Sequence, residues 1–247
     1  MTLPGIVTIQ ALIFDVDGTL ADTEDGHRRS FNKAFAENGL DWNWDAALYD
    51  KLLRVTGGKE RIKYFVSDFL AGFAKPEDFE EFVRHLHKVK TAHYTAMLRE
   101  GQIPLRPGIR QLLTDARNGG MRLAIATTTS PENVATLLQQ GLGADGESWF
   151  EVIGCGDIVP HKKPAPDIYL WVLEKLRLPA AACIALEDSE NGLRASLDAG
   201  IKTFVFRNHY TRNQDFSGAA AVFDEPADLD DFYRAAGLPL PKRCDSV

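Results

Sequence analysis

The chain has 247 residues, of which 45% are hydrophobic and 26% are charged, and its formal net charge is -7 at pH 7. This length is enough for one large domain or two modest ones with a buried core, and the composition is ordinary for a globular protein. The negative charge argues against a general binder of nucleic acid or of anionic membranes, because such binders depend on a basic surface. No apolar run in the sequence approaches the length of a membrane-spanning helix.

The cysteines and the N-terminus bear on the compartment. Cys155, Cys183 and Cys244 have no spacing typical of a metal site, and an odd number without a disulfide framework indicates a reducing environment. The first residues lack the basic and apolar regions of a secretory signal peptide. We therefore expect a cytoplasmic protein, or one of the plastid stroma if a transit peptide has been removed. A monomer is favoured, although no pattern determines the oligomeric state.

The first predicted element is an apolar strand that ends in two carboxylates, Asp15 and Asp17, followed by Gly18. Side chains two residues apart in a strand point the same way, and a glycine permits a tight turn beneath them. Two like charges this close repel unless a cation or a proton lies between them, which favours a magnesium site. A plain strand-to-turn exit is the alternative. An EF-hand is excluded, because a strand precedes the motif and no glutamate stands at the twelfth loop position.

Residues 22–102 show helical patterns and no strand pattern. Because this segment separates the first strand from all later ones, we interpret it as an all-helical cap domain inserted into a core made of residues 1–21 and 103–247. The predicted cap helices are 24–38, 45–53, 59–73 and 76–99.

The rest of the chain alternates strands with helices. This alternation predicts an α/β fold with a Rossmann-like parallel sheet and helices on both faces, whose ligands lie at the carboxyl ends of the strands. The predicted strands are 122–127, 151–155, 182–186 and 201–206, and the predicted helices are 106–118, 166–176 and 191–199, with a further helix that begins near residue 130. Residues 210–212 are interpreted only as a loop at the core edge.

Three further motifs lie at predicted strand ends. Thr127 and Thr128 precede a helix N-terminus and so suit a phosphate, although a plain helix cap is the alternative. Lys163 stands before a proline, which holds it in extended backbone, and its alternative is a solvated surface lysine. Glu187 and Asp188 follow a strand where metal ligands are expected, and helix capping is their alternative.

Taken together, Asp15-Val-Asp-Gly-Thr-Leu, Thr127, Lys163-Pro164 and Glu187-Asp188 resemble, in this order, the four motifs of the haloacid dehalogenase (HAD) superfamily of phosphotransferases. The match spans the core, and the helical insert resembles the subclass whose cap follows the first motif. The resemblance implies that Asp15 attacks phosphorus to form an aspartyl-phosphate, while Asp17 acts as general acid and base.

The resemblance also implies Mg²⁺ as cofactor. Its ligands would be Asp15, the backbone carbonyl of Asp17, and Asp188, with Glu187 behind them. The residues that would bind the transferring phosphoryl group are Thr127, Thr128 and Lys163. The acid at position 17 favours phosphate esters, because dehalogenases of this fold lack it and transport ATPases carry threonine there.

The cap segment bears on the substrate. Its Leu-Ala-Asp-Thr-Glu and Thr-Gly-Gly-Lys-Glu-Arg runs resemble the CbbY group of this superfamily, which includes phosphatases that remove the 1-phosphate of xylulose-1,5-bisphosphate, an inhibitory by-product of the carbon-fixing enzyme Rubisco. The resemblance implies a small sugar phosphate as substrate. The residues that would contact it are Glu24, His27, Tyr49, Gly57, Lys59 and Arg61.

Three interpretations therefore stand. The first is a sugar bisphosphate phosphatase of the CbbY type. The second is a β-phosphoglucomutase, which is similar in fold and motifs and also carries a histidine at the place of His27. The third is a non-enzymatic binding module on the same fold, which the presence of all four motifs disfavours. Lys162, beside Lys163, is expected to be exposed to solvent.

Overall fold

The computed structural model describes residues 8–224 and 229–240. Cys244 and the outer ends of the predicted core lie outside the described residues. Within them no helix is both long and apolar enough to cross a membrane.

Six strands of the described residues form one parallel sheet, in the order β3-β2-β1-β4-β5-β6. This confirms the predicted α/β, Rossmann-like fold class. The sixth strand was not predicted, because a three-residue strand at a sheet edge, with its central Val222 exposed, is too short to show a pattern in the sequence. The strands are β1 (Ala11–Phe14), β2 (Arg122–Ala126), β3 (Val152–Gly154), β4 (Cys183–Glu187), β5 (Lys202–Phe206) and β6 (Ala221–Phe223).

Nine α-helices lie in the described ranges. We refer to the first four, which follow β1 directly, as the cap helices. The helices are α1 (Glu24–Glu37), α2 (Ala46–Leu52), α3 (Gly58–Asp68), α4 (Phe79–Arg99), α5 (Ile109–Asn118), α6 (Pro131–Leu142), α7 (Asp167–Leu176), α8 (Glu190–Asp198) and α9 (Leu229–Ala236).

Two cap helices are shorter than predicted. The third was expected to reach residue 73 but ends at Asp68, and Gly72 beyond it has a φ of +82°, which an α-helix does not allow. The fourth was expected from residue 76 but begins at Phe79. Its boundary is set by Asp78, whose side chain accepts a hydrogen bond from the Glu81 backbone N–H, as is typical of an N-cap.

The sheet is apolar on both faces because each strand sends alternate side chains to opposite sides. In β1, Leu12 and Phe14 pack in the cluster that includes α5, α6 and α9, while Ala11 and Ile13 pack in the cluster that includes α7. The cap helices have a separate core around Trp42 and Trp44. β1 is thus buried on both faces, and only its carboxyl end can present polar side chains to a ligand.

Candidate active site

The carboxyl ends of three adjacent strands meet at one cavity of about 1260 Å³. Asp15 and Asp17 follow β1, Thr127 follows β2, and Asp188 follows β4, and all four line the cavity. They converge because β2 and β4 flank β1 in the sheet. The cap helices close the other side of the cavity with residues from α1, α3 and α4.

A buried acidic cluster lies at the core end of this cavity. Asp15, Glu187 and Asp188 each offer one carboxylate oxygen, and these atoms lie within 4.8 Å of one another. Lys163 Nζ lies 2.6 Å from Asp15 Oδ1 and 2.6 Å from Glu187 Oε1. Burial raises the pKa of Asp15 to about 7 although Lys163 opposes the shift, and burial with the neighbouring carboxylates raises the pKa of Asp188 well above its ordinary value.

The charges and donor atoms of this cluster fit a metal ion. Three carboxyl groups face a single lysine, and Glu187 Oε2 is buried with no hydrogen-bond partner in the described part of the chain. A hard divalent cation prefers such oxygen ligands and would relieve the repulsion between them. The predicted ligands Asp15 and Asp188 and the supporting Glu187 are therefore together. The backbone carbonyl of Asp17 as a ligand stays a prediction.

Two glycines and an asparagine make the packing of these carboxylates possible. Gly18 has a φ of +84°, and a Cβ there would collide with the Asp188 carboxylate, so both conformation and space require glycine. A Cβ on Gly192 would collide with the Glu187 carboxylate. Asn208 donates to Asp188 Oδ2 at 2.7 Å. Neither Gly192 nor Asn208 was predicted, because their contacts with Glu187 and Asp188 depend on the folded arrangement of the chain.

The threonine loop after β2 lies where the sequence predicts a phosphate cradle. Thr127 is buried, and its Oγ1 accepts a hydrogen bond from the Thr129 backbone N–H at 3.3 Å. Thr128 also lines the cavity. Ser130 stands at the N-cap of α6, but its Oγ is buried without a partner in the residues described. The loop thus offers hydroxyl groups at a helix N-terminus, an arrangement that suits an anion.

The cap supplies a hydrogen-bonded chain that ends on Asp17. His27 Nε2 lies 2.9 Å from Asp17 Oδ1, and Lys90 Nζ lies 2.7 Å from His27 Nδ1. Two nitrogens this close form a hydrogen bond, in which the roles of donor and acceptor depend on the His27 tautomer. Burial alone would raise the pKa of Asp17, but the charge and the hydrogen bond of His27 outweigh it and hold the pKa well below its usual range.

A second chain joins three predicted substrate residues. Tyr49 donates to Glu24 Oε2 at 2.9 Å, and Arg61 donates to the Tyr49 hydroxyl at 2.9 Å. Glu24 and Arg61 line the cavity, whereas Tyr49 is fully buried and lies behind them. Tyr49 was predicted to contact substrate, but in the structure its hydroxyl instead orients the two charged groups that face the cavity.

The start of α3 ties the cap to the core. Gly57 has a φ of +98°, and Lys59 Nζ lies 2.7 Å from Asp157 Oδ2 in the core. Lys162 lies 3.0 Å from Asp157 Oδ1 and 3.4 Å from Glu60 Oε2. The expectation that Lys162 is exposed was wrong, since only 18% of its side chain is accessible. Lys162 and Asp157 of the core therefore form one ion-pair network with Lys59 and Glu60 of the cap.

Other residues of the cavity were not predicted. Lys90 and His87 stand on α4, and Tyr210 reaches the cavity from the loop after β5. Tyr210 packs edge-on against Tyr49, with ring centroids 6.0 Å apart. Single lysines and histidines on a helix carry no recognisable sequence signal, because only the packing of α4 against α1 and α3 brings them to the site.

The sequence and the structure were compared with those of known proteins. The family model for haloacid dehalogenase-like hydrolases matches residues 9–200. The chain belongs to this family. The predicted superfamily is therefore confirmed, and with it the prediction of an enzyme rather than a binding module.

Particular relatives refine this assignment. The plasmid-encoded CbbY protein of Cupriavidus necator is 49% identical over 220 residues, which cover 89% of this chain and 87% of that protein. A crystal structure of a CbbY mutant from Rhodobacter sphaeroides in complex with xylulose-1,5-bisphosphate is 45% identical, with a TM-score of 0.84 over 90% of this chain and 97% of that one. A β-phosphoglucomutase from Clostridium difficile, 22% identical with a TM-score of 0.73 over 93% of this chain and 96% of that one, shares the fold. Hydrolase family and CbbY relatives together support a phosphatase.

Proposed function

We propose that this chain is a Mg²⁺-dependent phosphatase that converts xylulose-1,5-bisphosphate to xylulose-5-phosphate. The observation that carries the proposal is a single cavity with two unlike ends. Its core end holds the acidic cluster, and its cap end is lined by several cations, among them Lys59, Arg61 and Lys90. A substrate with two phosphates would place one at each end. The CbbY structure that holds this bisphosphate supports the choice of sugar.

Asp15 would be the nucleophile. Lys163 holds its Oδ1 at 2.6 Å and leaves the other carboxylate oxygen free to attack phosphorus in line, which forms an aspartyl-phosphate and releases the sugar alkoxide. Thr127, Thr128 and Lys163 would bind the phosphoryl oxygens. Mg²⁺, held by Asp15 and Asp188, would neutralise charge on the phosphoryl group when bound.

Asp17 would carry the proton. It would protonate the leaving oxygen of the sugar and then take a proton from the water that hydrolyses the aspartyl-phosphate. His27 holds the carboxylate through Oδ1, which leaves Oδ2 for this task. Because His27 belongs to the cap, closure of the cap would place Asp17 in its working position.

The remaining finer points are proposals as well. Glu24, His27, Gly57, Lys59 and Arg61 would bind the sugar or its second phosphate, with Tyr49 orienting two of them. We infer that the enzyme acts as a monomer in the cytoplasm or plastid stroma. No nucleic-acid or membrane partner is proposed.

Phosphate release tests the proposal directly. The purified protein is incubated with xylulose-1,5-bisphosphate, with and without Mg²⁺, and in parallel with β-glucose-1-phosphate plus glucose-1,6-bisphosphate. Mg²⁺-dependent release of one phosphate per pentulose bisphosphate is expected, and Asp15→Asn is the control. Formation of glucose-6-phosphate without net phosphate release would identify the mutase instead.

A further inference from the structure

Tyr210 is a cavity residue to which the proposed reaction assigns no role. It lies in the loop after β5, yet its ring packs against the apolar cluster of the cap helices. Within the part of the chain that the structure describes, it is the only member of that cluster from outside residues 31–86. Its ring meets the fully buried Tyr49 edge-on, with the centroids 6.0 Å apart. One loop of the core thus reaches into the packing of the cap helices.

The backbone beneath Tyr210 is fixed by Asn208. Asn208 Oδ1 accepts hydrogen bonds from the backbone N–H of Tyr210 at 2.9 Å and of Thr211 at 3.2 Å. The Thr211 hydroxyl accepts one from the Asn208 backbone N–H at 2.9 Å. Asn208 and Thr211 are both buried, so the turn is held from within. Because the turn is already ordered, little conformational entropy is lost when the Tyr210 ring packs against the cap.

The same asparagine bonds the acidic cluster. Asn208 Nδ2 donates to Asp188 Oδ2 at 2.7 Å, so one side chain holds both a proposed metal ligand and the turn that carries Tyr210. On the cap side, Tyr49 orients two charged side chains that face the cavity. A continuous row of contacts therefore runs from the acidic cluster, through Asn208 and Tyr210, to the cap.

The position of this contact on the cap gives it leverage. Among the described residues, α4 is the only cap helix that places side chains in the apolar clusters of the sheet, and they include Tyr94 and Leu98 near its C-terminal end. Helix α2 places none there, and its Tyr49 meets the core through Tyr210 instead. Tyr210 thus holds a part of the cap that the sheet clusters do not reach.

A contact of this kind acts on the equilibrium between a cap that is closed over the strand ends and a cap that has swung away. We propose that Tyr210 is a positioning residue that clasps the cap helices against the core and so sets the fraction of free enzyme that is closed. Apparent affinity falls in proportion to the fraction of protein that is competent to bind. The effect on substrate affinity rests on the proposed function, whereas the effect on the cap does not.

Steady-state kinetics on xylulose-1,5-bisphosphate tests the clasp. Tyr210→Ala should raise KM about 10-fold and change kcat by less than about 3-fold, because bound substrate restores the closed form. Tyr210→Phe keeps the ring and should stay within about 2-fold of the unaltered enzyme. Arg212→Ala is the matched control, because Arg212 is exposed in the same loop. An unchanged KM for Tyr210→Ala, or equal losses in the alanine and phenylalanine variants, would overturn the inference.

Hydrogen exchange of the protein without substrate, followed by mass spectrometry, tests the clasp independently. Tyr210→Ala should speed exchange in α2 and also in residues 56–60, which meet the core through Asn191 and Asp157. Faster exchange confined to α2 would mean local packing only and would contradict the inference. If circular dichroism shows that Tyr210→Ala is unfolded, Tyr210→Leu takes its place, since it also lacks the ring.

The two experiments separate the clasp from the proposed function. If the unaltered enzyme releases no phosphate from the bisphosphate, the proposed function fails, and hydrogen exchange alone decides whether Tyr210 holds the cap. An active enzyme whose Tyr210→Ala variant shows normal KM and normal exchange sinks the clasp alone.

Discussion

His27 Nε2 lies 2.9 Å from Asp17 Oδ1, so a cap side chain holds the carboxylate that follows the first core strand. His27 itself is fixed by Lys90 and by stacking on Tyr94, with ring centroids 3.9 Å apart. Both partners stand on α4, which packs along α1. The acid/base candidate is therefore positioned by the cap, and the proposed nucleophile Asp15 by the core through Lys163.

Asp15→Asn should abolish turnover of every phosphate ester, by at least about 10³-fold in kcat, because no other group can form the covalent intermediate. Far-ultraviolet circular dichroism should show an unchanged fold, since the amide is isosteric. The measurement is the rate at which labelled phosphate is released from the substrate. Residual turnover within tenfold of the unaltered enzyme would exclude Asp15 as nucleophile.

Asp17→Asn should lower kcat by about 10²–10⁴-fold, because it removes proton transfer to the leaving oxygen while the backbone carbonyl remains. Mg²⁺ affinity, measured by calorimetry, should change much less than kcat. Near-normal turnover would show that another group carries the proton. Asp25→Asn, an exposed acid on α1, is a suitable control.

Lys90 should impose a pH dependence on stability. Burial lowers its pKa to about 7, while in the unfolded chain the amine has its ordinary pKa near 10.4. Between these values the unfolded state binds more protons, so the free energy of unfolding rises with pH across this window. The free energy of unfolding of Lys90→Met, minus that of the unaltered protein, should therefore be most favourable near pH 6. This difference should fall by about 3 kcal/mol towards pH 9.5, because the unaltered protein gains stability over that range.

Urea unfolding at pH 6, 8 and 9.5 measures this trend, with Lys88→Met as control because Lys88 is exposed on the same helix. A difference between Lys90→Met and the unaltered protein that is independent of pH would show that Lys90 keeps an ordinary pKa. The same substitution should reduce activity, since it removes the amine that holds His27.

Tyr49→Phe should lower kcat/KM for the bisphosphate about 10-fold while the fold stays intact. The hydroxyl does not face the cavity, but it accepts from Arg61 and donates to Glu24, so its loss frees two charged side chains that do. Steady-state kinetics on xylulose-1,5-bisphosphate is the measurement. Tyr64→Phe, which alters a partly exposed tyrosine of α3, should have no comparable effect. Unchanged kinetics of Tyr49→Phe would mean that Glu24 and Arg61 hold their positions without it.

The core site could be predicted because its residues follow strands directly. Asp15, Thr127 and Asp188 are marked by apolar runs that end beside them, and a parallel sheet brings the carboxyl ends of its strands to one edge. Their convergence needs only the alternation of strands and helices. By contrast, the end of α3 and the short strand β6 depend on local capping and edge pairing, for which a few half-buried residues carry little pattern.

The sequence by itself determined the fold class and the family, because motif and strand lie next to each other in the chain, and it predicted the helical insert and the residues of the core site. Only the tertiary structure decided which cap side chains reach the site. Lys90 meets His27 across 63 residues, and Lys162 meets Glu60 across 102. Such contacts arise from how helices and loops pack in three dimensions, and the spacing of apolar residues that drives packing does not specify which polar side chains meet across the interface.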